Sequence, residues 1–391
     1  MQETLPVHPV DLEPLRLGGP QDRQRVAAMV DEACCDSGFL VVTGHGVDQQ
    51  ICDDVLDAFG AFFDQPLDEK LRWTVADESA NRGYSRMGKE ALAYSRGEST
   101  APDLFEAFNV GREQAEGSYY ETNRAFYAPN VWPTAPPGLH GAWSRYEVAV
   151  AAVADQLLEA MALALDLPED WFIERCRRAI LTTRALNYER AAGAPDPEPG
   201  QMRLGAHTDY GILTVLLADQ VPGLQVFRGD RWHDVPSPQG SFVCNIGDML
   251  ECWTNDRWTS TLHRVLPPPA TADGPVRRRS LARFLDCEPD RIVRCIPSCC
   301  SDQNPPKYPP VQAGEWLRAK LLGGRTMSDV DLAAAELSAA NTTSRESGMS
   351  EPEGRANQEH GRYLGTQCRA VIGADPVSPD SMWPTTCREH Q

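Results

Sequence analysis

His207-Thr208-Asp209, a distant His263 within Ser260-Thr261-Leu262-His263-Arg264-Val265, and Arg278-Arg279-Ser280 are the residues of this chain whose types and spacing could do chemistry. Successive side chains on a β-strand alternate faces, so His207 and Asp209 are expected to point the same way. With His263 arriving from a later strand, two imidazoles and one carboxylate would occupy one face of a metal ion. Three adjacent positions then stay open, the arrangement in which Fe(II) binds an oxidant and O2 together. Arg278 and Ser280 share a face by the same period and could hold a carboxylate between a guanidinium fork and a hydroxyl. An isolated His-x-Asp arises by chance, and a buried histidine is ordinarily a core residue. The order of all four features is what makes the metal reading specific.

The elements that must position these groups are legible from periodicity. From Ala179 the pattern is that of short strands. Ala185-Leu186-Asn187-Tyr188, Ile212 to Leu217, Leu224 to Phe227, Trp232 to Val235, Phe242 to Asn245 and Arg278 to Leu285 are runs split by Gly and Pro turns, with Ile292 to Cys295 the last. Such spacing predicts a two-sheet jelly roll. Loops are expected from Glu189 to Gln201 and from Pro267 to Gly274.

Before this block, Leu5-Pro6-Val7 reads as a leading strand. Val26, Met29, Val30, Ala33 and Cys34 recur at helical spacing, closed by Ser37-Gly38. Phe39 to Val42 reads as a buried strand, and Ile51, Val55, Leu56, Phe59 and Phe63 as the stripe of a second helix. His45, between two glycines, reads as a turn residue. Trp143 to Leu165 predicts a long amphipathic helix, and Pro168-Glu169-Asp170 the first turn of another. Beyond Tyr308, helices are expected over Glu315 to Leu322 and Ser328 to Ala340. A polar tail from about Asn341, with His360 and His390, has too little apolar surface to fold by itself.

The chain has 391 residues, enough for a sizeable core, and Lys+Arg 37 against Asp+Glu 56 leave it at −19. Nucleic-acid phosphates demand the opposite sign, so no nucleic-acid partner is expected. The most apolar long run, Val148 to Leu165, is interrupted by Asp155, Gln156 and Glu159, so no membrane span is expected either. No apolar signal segment follows Met1. With twelve cysteines and no Cys-x-x-Cys, this points to free thiols in the cytoplasm, and the pairs Cys34-Cys35 and Cys299-Cys300 do not read as zinc ligands.

With H-T-D, Gly223-Leu224-Gln225-Val226, Asn245-Ile246-Gly247-Asp248, the distal histidine and R-x-S in this order, the chain resembles the Fe(II)/2-oxoglutarate-dependent dioxygenases of the isopenicillin N synthase-like branch. The likeness covers roughly residues 1 to 310. It implies an α+β, mainly β fold: a double-stranded β-helix (jelly-roll) core flanked by N-terminal and C-terminal helices. The corresponding division is 1–130 for the N-terminal helix–strand region, 131–310 for the core with its long helix, and 311–391 for the C-terminal helices and tail.

The resemblance also implies roles. His207, Asp209 and His263 would hold Fe(II). 2-Oxoglutarate would chelate that iron and set its far carboxylate on Arg278 and Ser280, with Tyr188 and Asn187 assisting. Tyr84, Phe105, Phe108 and Phe284 would face the substrate, and Asn245 would lie near the iron as a polar neighbour. Such an enzyme uses O2 to hydroxylate, desaturate or cyclise a small organic molecule, here expected to be a secondary metabolite, with release of succinate and CO2. An isopenicillin N synthase-like oxidase that dispenses with 2-oxoglutarate has the same triad and stays open. A non-catalytic jelly-roll binding protein would be expected to have lost a ligand or the arginine. A zinc hydrolase on the same three residues would lack a general base.

Overall fold

The computed structural model describes residues 7, 9–77, 80–93, 100–112, 117–189, 197–198, 200–267 and 277–323. Contacts divide the chain into two compact units, Met1–Met349 and Ser350–Gln391. The second unit lies outside the described residues, as do the helix expected over 328–340, the tail histidines and most of the two expected loops.

The first half is mostly helical. β1 (Pro9–Asp11) and α1 (Glu13–Leu17) lead into α2 (Pro20–Asp36). Pro20 opens α2, where its missing N–H costs nothing, and the Asp22 carboxylate accepts the Gly19 N–H at 2.9 Å. β2 (Phe39–Thr43) is buried through Val42. α3 (Gln49–Phe63) is capped by Asp48, which accepts the Gln50 N–H at 2.9 Å, and it buries Val55, Phe59, Phe62 and Phe63. The short α4 (Leu67–Leu71), β3 (Gly83–Ser85), β4 (Glu106–Gly111) and α5 (Ser118–Thr122) follow. α6 (Leu139–Ala164) is the longest helix among the described residues. Its apolar stripe of Tyr146, Val150, Val153, Leu157, Leu158 and Met161 is buried, each side chain contributing roughly 1.5–3 kcal/mol of transfer free energy. No helix among the described residues is long and apolar enough to cross a membrane.

After α7 (Trp171–Arg175) the chain turns to strands: β5 (Leu181–Asn187), β6 (Leu204–His207), β7 (Leu213–Ala218), β8 (Leu224–Arg228), β9 (Arg231–Asp234) and β10 (Phe242–Ile246). The short α8 (Asp248–Trp253) separates these from β11 (His263–Val265), β12 (Arg279–Leu285), the two-residue β13 (Ile292–Val293) and β14 (Val311–Gln312). α9 (Ala313–Gly323) closes the described chain.

Eight strands form the major sheet in the order β1-β2-β10-β7-β12-β5-β4-β3, and β6-β11-β8-β9 form the minor one. β1 to β4 therefore extend the sheet that β5, β7, β10 and β12 build. The two sheets face each other across Phe39, Phe105, Leu186, Tyr188, Val226, Val243, Val265 and Ala282. This is the two-sheet jelly roll that the strand spacing predicted, and the double-stranded β-helix that the resemblance implied. α3 and α6 lie on the outer face of the major sheet: Arg283 of β12 reaches Glu147 of α6 at 3.0 Å, and Arg279 reaches Asp57 of α3 at 3.1 Å. Alternation along β12 then turns Ser280, Ala282 and Phe284 inward, where the site lies.

Candidate active site

His207 and His263 are cross-strand partners in β6 and β11, so pairing alone sets their rings 4.3 Å apart between centroids. Each ring is oriented from behind by a backbone carbonyl. Nδ1 of His207 lies 2.8 Å from Gly205 O, and Nδ1 of His263 3.0 Å from Thr261 O. With Nδ1 carrying the proton, both Nε2 atoms are left as neutral donors for a metal. They stand 3.7 and 3.6 Å from Oδ1 of Asp209. The strand expected to carry both His207 and Asp209 ends at His207. Asp209 instead comes from the turn that follows, and backbone contacts place it.

Those contacts explain Asn245-Ile246-Gly247-Asp248. The Asp248 N–H donates to Asp209 O at 2.8 Å, and the Gly247 N–H to Ile212 O at 3.1 Å. A Cβ on Gly247 would stand 2.5 Å from Gly211 O and 2.9 Å from Asp209 O, so only glycine lets the two backbones meet. Asn245 Nδ2 and Thr214 Oγ1 donate to Asp209 Oδ2 at 2.7 and 2.5 Å, which leaves Oδ1 facing the imidazoles. Thr208, between the ligands, turns away to Asp248 at 3.1 Å.

The electrostatics favour a cation at the centre. Burial and the neighbouring His263 hold the His207 imidazole well below its ordinary value, in the neutral form a metal needs. Burial alone would raise Asp209, but the two histidines and the hydrogen bonds from Thr214 and Asn245 hold it below the usual carboxylate range. One potential ligand atom from each of the three buried residues falls within 4.8 Å of the others. The donor set fits a divalent ion with open positions.

A second cluster of buried polar side chains gathers around Tyr188 of the inter-sheet core. Arg278, 2 % exposed, donates Nη1 to Ser280 Oγ at 3.2 Å, while its buried Nε has no hydrogen-bond partner among the described residues. Its guanidinium sits 5.1 Å from the ring centroid of the buried Tyr188. Arg203, equally buried, lies near Arg278, and burial together with that second guanidinium pushes it down to about 10. Two close, buried guanidiniums and an orphaned Nε fit a carboxylate guest.

The triad opens on a cavity of about 210 Å³, bordered by His207 and Asp209 and walled by Asn109, Arg184, Phe284, Asp286 and Leu317. Asp103 braces the wall from behind: its carboxylate accepts the Gly205 and Leu92 N–H groups, each at 2.9 Å, and burial pushes it up to about 6.

Phe284 lines this cavity. Tyr84 borders it too, but its hydroxyl is committed to Glu106 at 2.6 Å and its ring to Phe62. Phe105 is not a wall residue; it packs in the inter-sheet core beside Tyr188, ring centroids 6.2 Å apart. Phe108 is on the opposite face of β4, against Phe59 and Phe62 of α3. Asn187 likewise faces outward, donating to Glu106 and accepting from Arg277, both at 2.8 Å, so it does not reach the Arg278 pocket. The cause in both cases is alternation: Leu186 and Tyr188 point inward, so Asn187 cannot. Periodicity could have found Thr214 and Arg184, each on an inward position of its strand. Arg203 and Asp286 lie just outside strands, where alternation gives no guidance.

The family follows from comparison. Residues 7–135 match the model for the N-terminal region of non-haem dioxygenases in morphine synthesis, and residues 182–286 that of the 2OG-Fe(II) oxygenase superfamily. The chain is 33 % identical over 302 residues to a 2-oxoglutarate-Fe(II) type oxidoreductase, hxnY, of Emericella nidulans, spanning 76 % of this chain and 84 % of that protein. It is 31 % identical over 357 residues to a validamycin A dioxygenase of Streptomyces hygroscopicus subsp. limoneus, spanning 90 % and 96 % of the two. Among solved structures, that of a full-length Neurospora crassa protein in complex with α-ketoglutarate superposes with a TM-score of 0.71 at 26 % identity, over 81 % of this chain and 95 % of that one. The chain belongs to the 2OG-Fe(II) oxygenase superfamily. It is an Fe(II)- and 2-oxoglutarate-dependent dioxygenase acting on a small molecule.

Proposed function

We propose that this enzyme oxidises an unactivated C–H bond of a secondary metabolite held in the cavity walled by Phe284, with His207, Asp209 and His263 as the Fe(II) ligands and Arg278, Ser280 and Tyr188 as the seat of 2-oxoglutarate. The observation that carries this reading is the separation of the two spaces. The buried Arg278, Ser280 and Tyr188 stand apart from the wall of the cavity that His207 and Asp209 border, so co-substrate and substrate each have a place. With O2, bound Fe(II) and 2-oxoglutarate supply oxidation of C–H coupled to decarboxylation to succinate and CO2.

The protein's part is placement. Gly205 O and Thr261 O fix the tautomers of the two histidines, and Thr214 with Asn245 aims one oxygen of Asp209. Arg278 stays charged and orients a carboxylate by a fork that lysine cannot reproduce. Leu317 of α9 adds apolar cover to the cavity, which helps exclude water. The ten free cysteines among the described residues agree with work in the reducing cytoplasm. The test is stoichiometry: Fe(II)-loaded protein, 2-oxoglutarate and a metabolite panel should yield one succinate per oxidised product. Product formed without succinate would instead identify an oxidase that takes all its electrons from the substrate.

A further inference from the structure

We propose that Asp286 selects the substrate: its carboxylate receives a cationic nitrogen, an amine, amidine or guanidinium, of the molecule oxidised at this site. The assignment rests on the reading of the adjoining cavity as the substrate space.

Asp286 follows directly on β12, which carries Ser280 and Phe284 on its inner face. Phe284 is the cross-strand partner of Thr214, the residue that holds Asp209. Asp286 lies two residues beyond Phe284, just past the end of the strand, and shares the cavity wall with Phe284 and Asp209. A molecule gripped there lies in the cavity that His207 and Asp209 border.

The carboxyl is only 5 % exposed and borders the cavity, yet its Oδ1 has no hydrogen-bond partner and no arginine or lysine pairs with it among the described residues. The other non-ligand carboxylate on the wall, Glu90, is already paired with Arg184. Asp286 alone is left to be answered by a guest.

The backbone makes room for this arrangement. A Cβ on Gly211, two residues past Asp209, would come within 2.5 Å of Asp286 Oδ1 and 2.9 Å of Leu285 O. Glycine therefore lets the carboxyl lie against the turn that carries the metal ligand. A buried carboxylate without donors is costly; a cationic guest answers it, whereas an anionic one adds to it. Phe284 and Leu317 beside it offer apolar surface to the rest of the molecule.

The test is calorimetric, on the full chain loaded with Mn(II) in place of iron so that no turnover occurs. 2-Oxoglutarate is titrated first, then benzamidine, benzamide and benzoate, which keep one ring and change only the charge. Benzamidine should bind at least about tenfold more tightly than benzamide, with benzoate weakest, and Asp286→Asn should erase that preference while leaving benzamide within about twofold. Benzamide or benzoate matching benzamidine on the native protein would overturn the assignment, as would an undiminished preference in Asp286→Asn or no benzamidine binding at all. Failure to bind 2-oxoglutarate would sink both this assignment and the oxygenase reading; normal 2-oxoglutarate binding without discrimination sinks only the role of Asp286.

Discussion

The arginine cluster and the cavity beside the triad are built differently. The arginine pocket is nearly dry: Arg278, Ser280, Tyr188 and Arg203 are each no more than 2 % exposed, and three of the four sit on or directly beside the paired strands β5 and β12. The cavity draws its wall from β4, β5, the turn after Asp209, the end of β12 and α9. The first is a product of strand register and tolerates little change. The second shares β5 and β12 with the first but adds β4, the turn after Asp209 and α9, segments distant in sequence. A common co-substrate asks for the first kind of construction, and substrates that differ between relatives ask for the second.

That contrast can be broken by mutation. The largest effect belongs to neither side: His207→Ala, Asp209→Ala or His263→Ala should abolish stoichiometric Fe(II) binding and turnover together, measured by equilibrium dialysis and succinate release. Retained metal in any of the three would remove that residue from the ligand set.

Phe108 and Phe284 separate fold from site. Phe108→Ala opens a hole between β4 and α3 and should cost about 3–5 kcal/mol in denaturant unfolding, with KM for substrate unaltered in the protein that remains folded. Phe284→Ala should do the reverse, raising KM with a smaller loss of stability, because one side of its ring faces open space. The same KM shift in both would erase the distinction between the two faces of the sheet.

Arg278→Ala should weaken 2-oxoglutarate binding by about 2–5 kcal/mol without touching metal affinity, and Arg278→Lys should recover only part of it. An unchanged 2-oxoglutarate isotherm would free Arg278 from that role. Thr214→Val keeps the shape of β7 but removes one hydrogen bond to Asp209, so Fe(II) affinity should fall about 10–100-fold with 2-oxoglutarate affinity little altered.

The smallest effect is a pH slope. Burial raises the Asp103 carboxyl from its ordinary value to about 6, so the native state holds that proton more tightly than the unfolded chain does. This contribution is complete below the unfolded value near pH 4 and is lost as pH rises through 6, at no more than about 1.4 kcal/mol per pH unit. Asp103→Asn should flatten that part of the stability profile; an unaltered slope would assign it to other groups.

Much of the fold was legible because periodicity is a local property. The alternation around Leu186, Val215 and Ala282 marks strands, and the stripe from Tyr146 to Met161 marks a long helix, since each pattern follows from burying one face. Element ends were less so. Asp209 was expected on a strand and comes from a turn, because what holds it is the backbone of Asp248, about forty residues later in the chain. Asn187 and Phe108 were expected inward and face outward, although the inward set was already implied by Tyr188 and Phe105 beside the same strands.

What the sequence determined by itself is the identity and order of the chemistry: two histidines and a carboxylate, then arginine and serine two apart, groups whose reactivity depends on type and short spacing. Only the tertiary structure decided which way they look and what surrounds them. The cross-strand pairing of His207 with His263, the Thr214 and Asn245 clasp on Asp209, the buried Arg203 beside Arg278 and the unanswered carboxyl of Asp286 all join residues far apart in the chain. Such contacts exist only once the sheets have closed, because burial, register and the loss of water are properties of the packed whole and not of any stretch of it.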